Sequence, residues 1–271
     1  MAPLLEISKV SKGFGGLMAI KDLSFAVYPG QVKSVIGPNG AGKTTLFRMI
    51  TGIVTPSTGR IRFNQDSLNG LPPHRIAQKG IASTFQTVEL FGEMTALENV
   101  MVGHHVRSRS ELFAAGFRLA GMRREEDHIK QVAVEKLDFV GLVAKQSAKA
   151  HSLSLGEQKS LEIARALATE PQLLLLDEPA GGLNDRETDH LSERILAIRE
   201  HGITVLLVEH DMNLVMSISD DIVVINYGQK IAEAAPAQIK DNQDVIDAYL
   251  GEAIDYSDLR RSESDNFETY S

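Results

Sequence analysis

The chain has 271 residues, 43% hydrophobic and 24% charged, the composition of a soluble globular protein long enough to bury a large core. It contains no cysteine, so disulfides, thiolate metal sites and cysteine nucleophiles are excluded, in keeping with a reducing cytoplasm. Of the formal charge of −8, residues 241–271 carry −7 (nine acids against Arg260 and Arg261), which leaves a nearly neutral body at −1. A nucleic-acid binder needs a basic face, and none is evident.

MAPLLEISKV places Glu6 among alternating apolar residues, a strand pattern rather than a leader. No stretch reaches the roughly 18 apolar residues that a membrane helix needs. LEISKVSKGF, LSFAVYPG and GRIRFN (59–64) alternate with period two and predict an antiparallel sheet. VKSVI (32–36) runs into a Gly-rich loop, and KTTLFRMI (43–50) reads as the helix that follows. LLLL (173–176), VLLV (205–208) and IVVI (222–225) are apolar on both faces, like central strands of a covered parallel sheet. Residues 88–160 are rich in helix formers and predict a helical insertion, in which the apolar LFAAGFRLAGM (112–122) is expected to pack. His104 and His105 are neighbours, about 100° apart on a helix, and so are read as packing residues rather than a metal pair. From about Ala253 the apolar periodicity is lost. Residues 1–252 are therefore expected to form one domain, and 253–271 an acidic tail that does not pack.

GPNGAGKT (37–44) matches G-x-x-x-x-G-K-[ST] in the required context, a strand before and a helix after. Glycines let successive backbone N–H groups converge on a phosphate, and the helix N-terminus adds partial positive charge. Lys43 would reach the β- and γ-phosphates and the Thr44 hydroxyl would ligate Mg²⁺. The second half of such a site is LLLLDEP (173–179). A buried aliphatic strand ending in two acids must deliver them to a polar site, because unpaired carboxylates in a core are costly. Asp177 would hold the Mg²⁺ hydration shell, and Glu178 would polarise an attacking water. The two halves predict a nucleoside triphosphatase.

LSLGEQKSLEIARAL (153–167) opens a helix at Ser154 and Gly156, with an apolar stripe at Leu161, Ala164 and Leu167. On physical grounds alone it reads as an N-capped helix whose exposed N–H groups could take a second anion. The order of these motifs resembles that of ATP-binding cassette ATPases over about residues 4–252. The family's signature L-S-G-G-Q corresponds here to L-S-L-G-E-Q, with Leu155 and Glu157 as departures. The resemblance implies that Ser154, Gly156 and Glu157 complete the ATP site of a partner cassette, where Glu157 sets a carboxylate close to a triphosphate. It implies an ATP site made of Phe14, stacked on adenine, and the loop Gly37, Pro38, Asn39, Gly40, Ala41, Gly42, Lys43, Thr44 and Thr45. It further implies Thr44, Gln86 and Asp177 at Mg²⁺, with Glu178, His210 and Lys43 in catalysis. GGLN (181–184) stands where the family has S-A-L-D, so Asn184 replaces the usual Asp.

The fold implied is α/β: a P-loop core with a mostly parallel sheet, an antiparallel β subdomain and a helical insertion. TFQTVELFGEMTALENVMVGHH (84–105), LEIARALATEPQLLLLDEPAGGLN (161–184) and the segment 208–252 resemble the ATPase of branched-chain amino acid importers. That resemblance implies an ATP-hydrolysing subunit at the cytoplasmic face of a bacterial plasma membrane, paired with a second cassette of the same or a sister chain. It implies two separate permease subunits and, indirectly, a solute-binding protein, with no nucleic acid. The alternatives are the ATPase of lipopolysaccharide export or of amide or urea transport, and a soluble regulatory ATPase.

Overall fold

The computed structural model describes residues 1–84, 88–105 and 119–250. In chain order its first elements are β1 (Leu5–Phe14), β2 (Leu17–Val27), β3 (Val32–Ile36), α1 (Lys43–Ile50), β4 (Thr58–Phe63) and β5 (Asp66–Ser67). There follow α2 (Pro73–Gln78), β6 (Ile81–Ser83), α3 (Ala96–His105), α4 (Leu119–Phe139), α5 (Leu155–Leu167), β7 (Leu173–Asp177) and α6 (Asp185–Glu200). The last are β8 (Thr204–Val208), α7 (Met212–Ile218), β9 (Asp221–Asn226), β10 (Gln229–Ala234), α8 (Pro236–Lys240) and α9 (Gln243–Leu250). The chain divides into two units: Met1–Gly70 with Ile195 onward, and Leu71–Arg194.

In the first unit the period-two segments form an antiparallel sheet in the order β2-β1-β4-β5. Leu5 and Ile7 lie opposite Val27 and Phe25 on one strand and Phe63 and Ile61 on the other, and all six are buried. Glu6, between them, points to the other face and pairs with Arg62 at 3.7 Å. The aliphatic strands form the second sheet of this unit. β3 lies between β8 and β9, parallel to both, and β10 returns antiparallel on β9. Every residue of β3 and β8 is buried, which is why these strands are aliphatic runs rather than alternations. Ile36, Ile222 and Val224 pack with Val215, Ile239 and Val245 from α7, α8 and α9. Because β3 and β8 run parallel with Val35 opposite Val208, the loops after both emerge at one sheet edge. That edge is where ligands of open α/β sheets bind.

One charge sits inside this apolar layer. Lys33 of β3 is 1% exposed, and its Nζ donates to Asp221 at 2.6 Å, to Glu233 and to the Ala26 carbonyl at 2.7 Å.

In the second unit β6 pairs parallel to β7, with Ile81 opposite Leu173 and Ser83 opposite Leu175. The Thr84 N–H extends the ladder to the Leu175 carbonyl at 2.9 Å. Alongside these strands, α5 buries Leu161, Ile163, Ala164 and Leu167. α3 approaches α5 closely enough that a Cβ on Gly103 would fall 2.2 Å from the Arg165 carbonyl oxygen. His104 packs with its Nδ1 3.0 Å from the Ala168 carbonyl and its ring edge-on to His128. The apolar stretch 112–122 has no described side chains, and the tail 253–271 lies outside the described residues. No described helix is long and apolar enough to cross a membrane.

Candidate functional site

The loop between β3 and α1 is shaped by two glycines. Gly37 has φ 150°, and a Cβ there would lie 2.0 Å from the Ile225 carbonyl oxygen. Gly42, with φ 107°, is the N-cap of α1, and its Cβ would lie 2.5 Å from the Ala19 carbonyl oxygen. No L side chain fits either position, so the loop closes against β2 and β9 only with glycine. The Ala41 N–H donates to the Pro38 carbonyl (3.1 Å), and the Gly228 N–H donates to the Ala41 carbonyl (3.0 Å). Asn39 and Gly40 are exposed at the tip. Lys43 is 6% exposed, and its ammonium donates across the loop to the carbonyls of Gly37 and Pro38. Thr44 and Thr45 lie half-buried in the first turn of α1, where backbone N–H groups point out of the helix end. The result is a helix-terminal anion cradle with a cation laid over it. Gly37→Ala is expected to lose at least about 2 kcal/mol of stability and nearly all nucleotide binding. Thermal melts and titration with a fluorescent ATP analogue would check both.

β7 ends at Asp177, which is 8% exposed, and Glu178 follows half-buried. Glu178 has φ 47° and precedes Pro179, a doubly unfavourable place for a residue with a Cβ. Such strain concentrates at functional turns and persists only where the surroundings hold it. Here the Gly181 N–H donates to the Glu178 carbonyl at 3.2 Å, and Lys159 of α5 donates to the carbonyls of Glu178 (3.2 Å) and Pro179 (2.9 Å). Thr44 in the first unit and Asp177 in the second each carry an oxygen donor. That suits Mg²⁺, which binds one or two protein oxygens and takes the remainder from phosphates and water. Gln86 lies outside the described residues.

At the end of β8 a fully buried Glu209 precedes His210. The Glu209 carboxylate accepts from the N–H of His210 (2.7 Å) and of Asp211 (3.2 Å), and lies 3.5 Å from His210 Nδ1. The His210 side chain is 62% exposed. Asp211 then caps α7 by accepting from the Leu214 N–H.

The start of α5 is a reciprocal cap: the Ser154 hydroxyl accepts from the Glu157 N–H, and the Glu157 carboxylate accepts from the Ser154 N–H. Glu157 also pairs with Lys145. Its carboxylate is therefore engaged by the cap and by a cation, which moderates the repulsion that the sequence suggested for a nearby triphosphate. The Lys145 hydrogen bond, with the two from Ser154, outweighs burial and holds Glu157 below the ordinary carboxylate pKa. The stability it contributes is complete above that ordinary value and is lost as pH falls through the lowered one. Glu157→Gln should therefore lower the melting temperature near neutrality, with the gap to the original chain closing in acid as the profile's acid limb flattens. Gly156 packs so closely on α6 that a Cβ would meet Glu187 Oε1 at 2.7 Å. Asn184 caps α6 with Glu187 in a second reciprocal pair, at 3.0 and 3.1 Å. Asn serves an N-cap as well as Asp, so the departure from the family's Asp keeps this local role. Phe14 ends β1 at 49% exposure, with Lys12 Nζ 5.1 Å from its ring centroid.

Two residues beside these groups escaped sequence reasoning. Glu209 ends an aliphatic strand just as Asp177 and Glu178 do, so the same signal was present in VLLVE. Lys159 carried the signal of a charge on the apolar side of an amphipathic helix.

The comparisons with known proteins agree with this geometry. Residues 20–181 match the family model described as ABC transporter, and residues 229–255 match one described as branched-chain amino acid ATP-binding cassette transporter. The chain is 50% identical over 252 residues to the high-affinity branched-chain amino acid transport ATP-binding protein BraF of Pseudomonas aeruginosa, covering 93% of this chain and 99% of that protein. It is 45% identical over 252 residues, with the same coverage, to the protein LivG of Escherichia coli, whose printed description is otherwise the same. Among solved structures, the ADP conformation of MJ1267, an ATP-binding cassette of an ABC transporter, aligns with TM-score 0.82 at 31% identity over 93% of this chain and 100% of that one. With the family model spanning more than half of its length, and relatives aligned over nearly all of it, the chain belongs to the ATP-binding cassette transporter family and is one of its ATPases.

Proposed function

We propose that the chain energises uptake of branched-chain or other hydrophobic amino acids through separate permease subunits, from the cytoplasmic face of a bacterial plasma membrane. The observation that carries this reading is the 50% identity to BraF over 99% of that protein, reinforced by the specific match at residues 229–255.

In this reading the loop Gly37, Pro38, Asn39, Gly40, Ala41, Gly42, Lys43, Thr44 and Thr45 binds the phosphates through its N–H groups, of which Pro38 has none, and the Lys43 ammonium, and Phe14 stacks on adenine. Thr44, Gln86 and Asp177 hold Mg²⁺, which supplies charge neutralisation to the transferring phosphoryl group. Glu178 orients the attacking water, and His210 with Lys43 stabilises the charge that develops. Ser154, Gly156 and Glu157 belong to the site of a second cassette, a copy of this chain or a sister. A single domain spans 1–252, with residues 88–160 as its helical part and 253–271 as an acidic extension. Hydrolysis then releases the pair of cassettes, and motion around Gln86 and 88–105 passes to the permeases.

The test is a detergent pull-down of tagged Glu178→Gln chain held with ATP and Mg²⁺, followed by mass spectrometry. Two polytopic permeases and a second cassette support the reading, and radiolabelled uptake then identifies the amino acid. Recovery of lipopolysaccharide-export or amide-transport subunits would replace the substrate class, and recovery of soluble proteins alone would remove the transport role.

A further inference from the structure

Three charged residues lie three positions apart on α5: Lys159, Glu162 and Arg165. Positions three apart are neighbours on a helix surface, so the three form one slowly drifting row. They are interleaved with Leu161, Ile163 and Ala164, all fully buried, and the charges themselves are largely withdrawn from water. Glu162 is 3% exposed and Lys159 9%. Ionic groups in such surroundings each cost several kcal/mol of desolvation, whereas aliphatic residues would fill the same space without that penalty. Burial is also the leading influence on Glu162 and on Arg165, pushing the carboxyl up and the guanidinium down.

What the row does is visible at its two ends. At the first, Lys159 Nζ holds the Glu178 and Pro179 carbonyls of the strained turn. At the other, Glu162 accepts the Glu89 N–H at 2.8 Å, and Arg165 Nη1 donates to the Glu89 carbonyl at 2.6 Å. Both main-chain groups of one residue outside any helix or strand are thus taken by a single helix. Arg165 Nη2 lies 3.6 Å from the same Glu162 carboxylate, closing the triangle. Between the ends is a small cleft lined by Thr84, Lys159, Glu162, Ile163 and Pro179.

We propose that Lys159, Glu162 and Arg165 are positioning residues that brace the Glu178 turn and the Glu89 segment, three residues beyond Gln86, through the single helix that begins at Ser154. Lys159 acts by keeping the Glu178 main chain in its left-handed conformation, so that the carboxylate points where water must be oriented. Glu162 and Arg165 keep Glu89 in register with that turn. The inference rests on the roles assigned to Glu178 and Gln86 in the proposed function.

The experiment uses the full-length chain and reads steady-state ATP turnover together with hydrogen exchange. In the unaltered protein the Glu89 amide is expected to be strongly protected although it belongs to no regular element; exchange at the open-chain rate would overturn the brace. Lys159→Met is expected to lower kcat by about 10- to 100-fold with KM for ATP within twofold, and Lys159→Arg to recover most of it. The same Lys159→Met change should speed exchange in 88–91 as well as in 178–183, and Glu162→Ala should speed exchange in 178–183. Undiminished kcat in Lys159→Met, or exchange that quickens only at the substituted end, would overturn the proposal. Glu178→Gln assayed in parallel separates the two readings. Full turnover there rejects Glu178 as the base, whereas the exchange pattern reports the brace directly.

Discussion

Glu178→Gln is expected to cut ATP turnover by about 100- to 10,000-fold while ATP binding stays within a few-fold of the original. The substitution changes one oxygen to an amide and leaves the volume nearly constant, so the strained turn keeps its main-chain bonds from Gly181 and Lys159. The groups proposed to hold the phosphates, led by Lys43 and the N-terminus of α1, belong to a different segment and are untouched. What disappears is the anionic acceptor at the exit of β7. Phosphoryl transfer to water depends on positioning and electrostatics, so losing the group proposed to orient water falls on kcat and not on affinity. Single-turnover hydrolysis beside an equilibrium titration would separate the two, and a normal hydrolysis rate would reject the assignment.

Lys33→Met is expected to destabilise the protein by about 3 kcal/mol, the lower end of the range for breaking a buried ion pair from one side. Methionine fills similar volume but leaves Asp221 and Glu233 facing the same point without the cation they share. These carboxylates keep 30% and 25% of their exposure, so water recovers part of the loss. For a chain of this size the melting temperature should fall by roughly 6–12 °C. The pH dependence has a definite sign. Burial pushes Glu233 up, but hydrogen bonds from Lys230 and Lys33 and their charges overcome it and leave Glu233 below its ordinary value. Its contribution is complete above the ordinary carboxylate pKa and is lost as pH falls through the lowered one, so the gap between Lys33→Met and the original chain narrows in acid. Neutralising all three groups, with Asp221→Asn and Glu233→Gln added, should restore most of the stability. Equal melting temperatures for Lys33→Met and the original protein would show that the cation is not required.

Lys33 also marks where local reading ends. In VKSVI it stands as a polar interruption in an aliphatic strand, and nothing within five residues announces two acids from β9 and β10. The pairing exists because parallel β3 and β9 set Lys33 opposite Asp221, and the β9–β10 hairpin brings Glu233 back alongside. Glu209 is similar: its place after VLLV is readable, but its engagement with the amides of His210 and Asp211 depends on how the chain bends after the strand.

The phosphate loop, the aliphatic strands and the two acids after LLLL were legible directly, because each depends on short spacing. A loop that cradles phosphate needs glycine where φ is positive and a lysine at the helix start, all within eight residues. A buried parallel strand shows as a short run made mostly of aliphatic residues. Ser154 as a cap belongs to the same class, since its partner Glu157 is three residues away. The sequence alone therefore determined the family and the sheet types. Only the tertiary structure decided which charges are buried and what they hold: Lys33 on Asp221 and Glu233, Lys159 on the Glu178 turn, and Glu162 with Arg165 on Glu89. Those bonds join positions 19 to 200 residues apart. Burial makes such pairings strong, but it is a property of how the layers close and is not written in any local window.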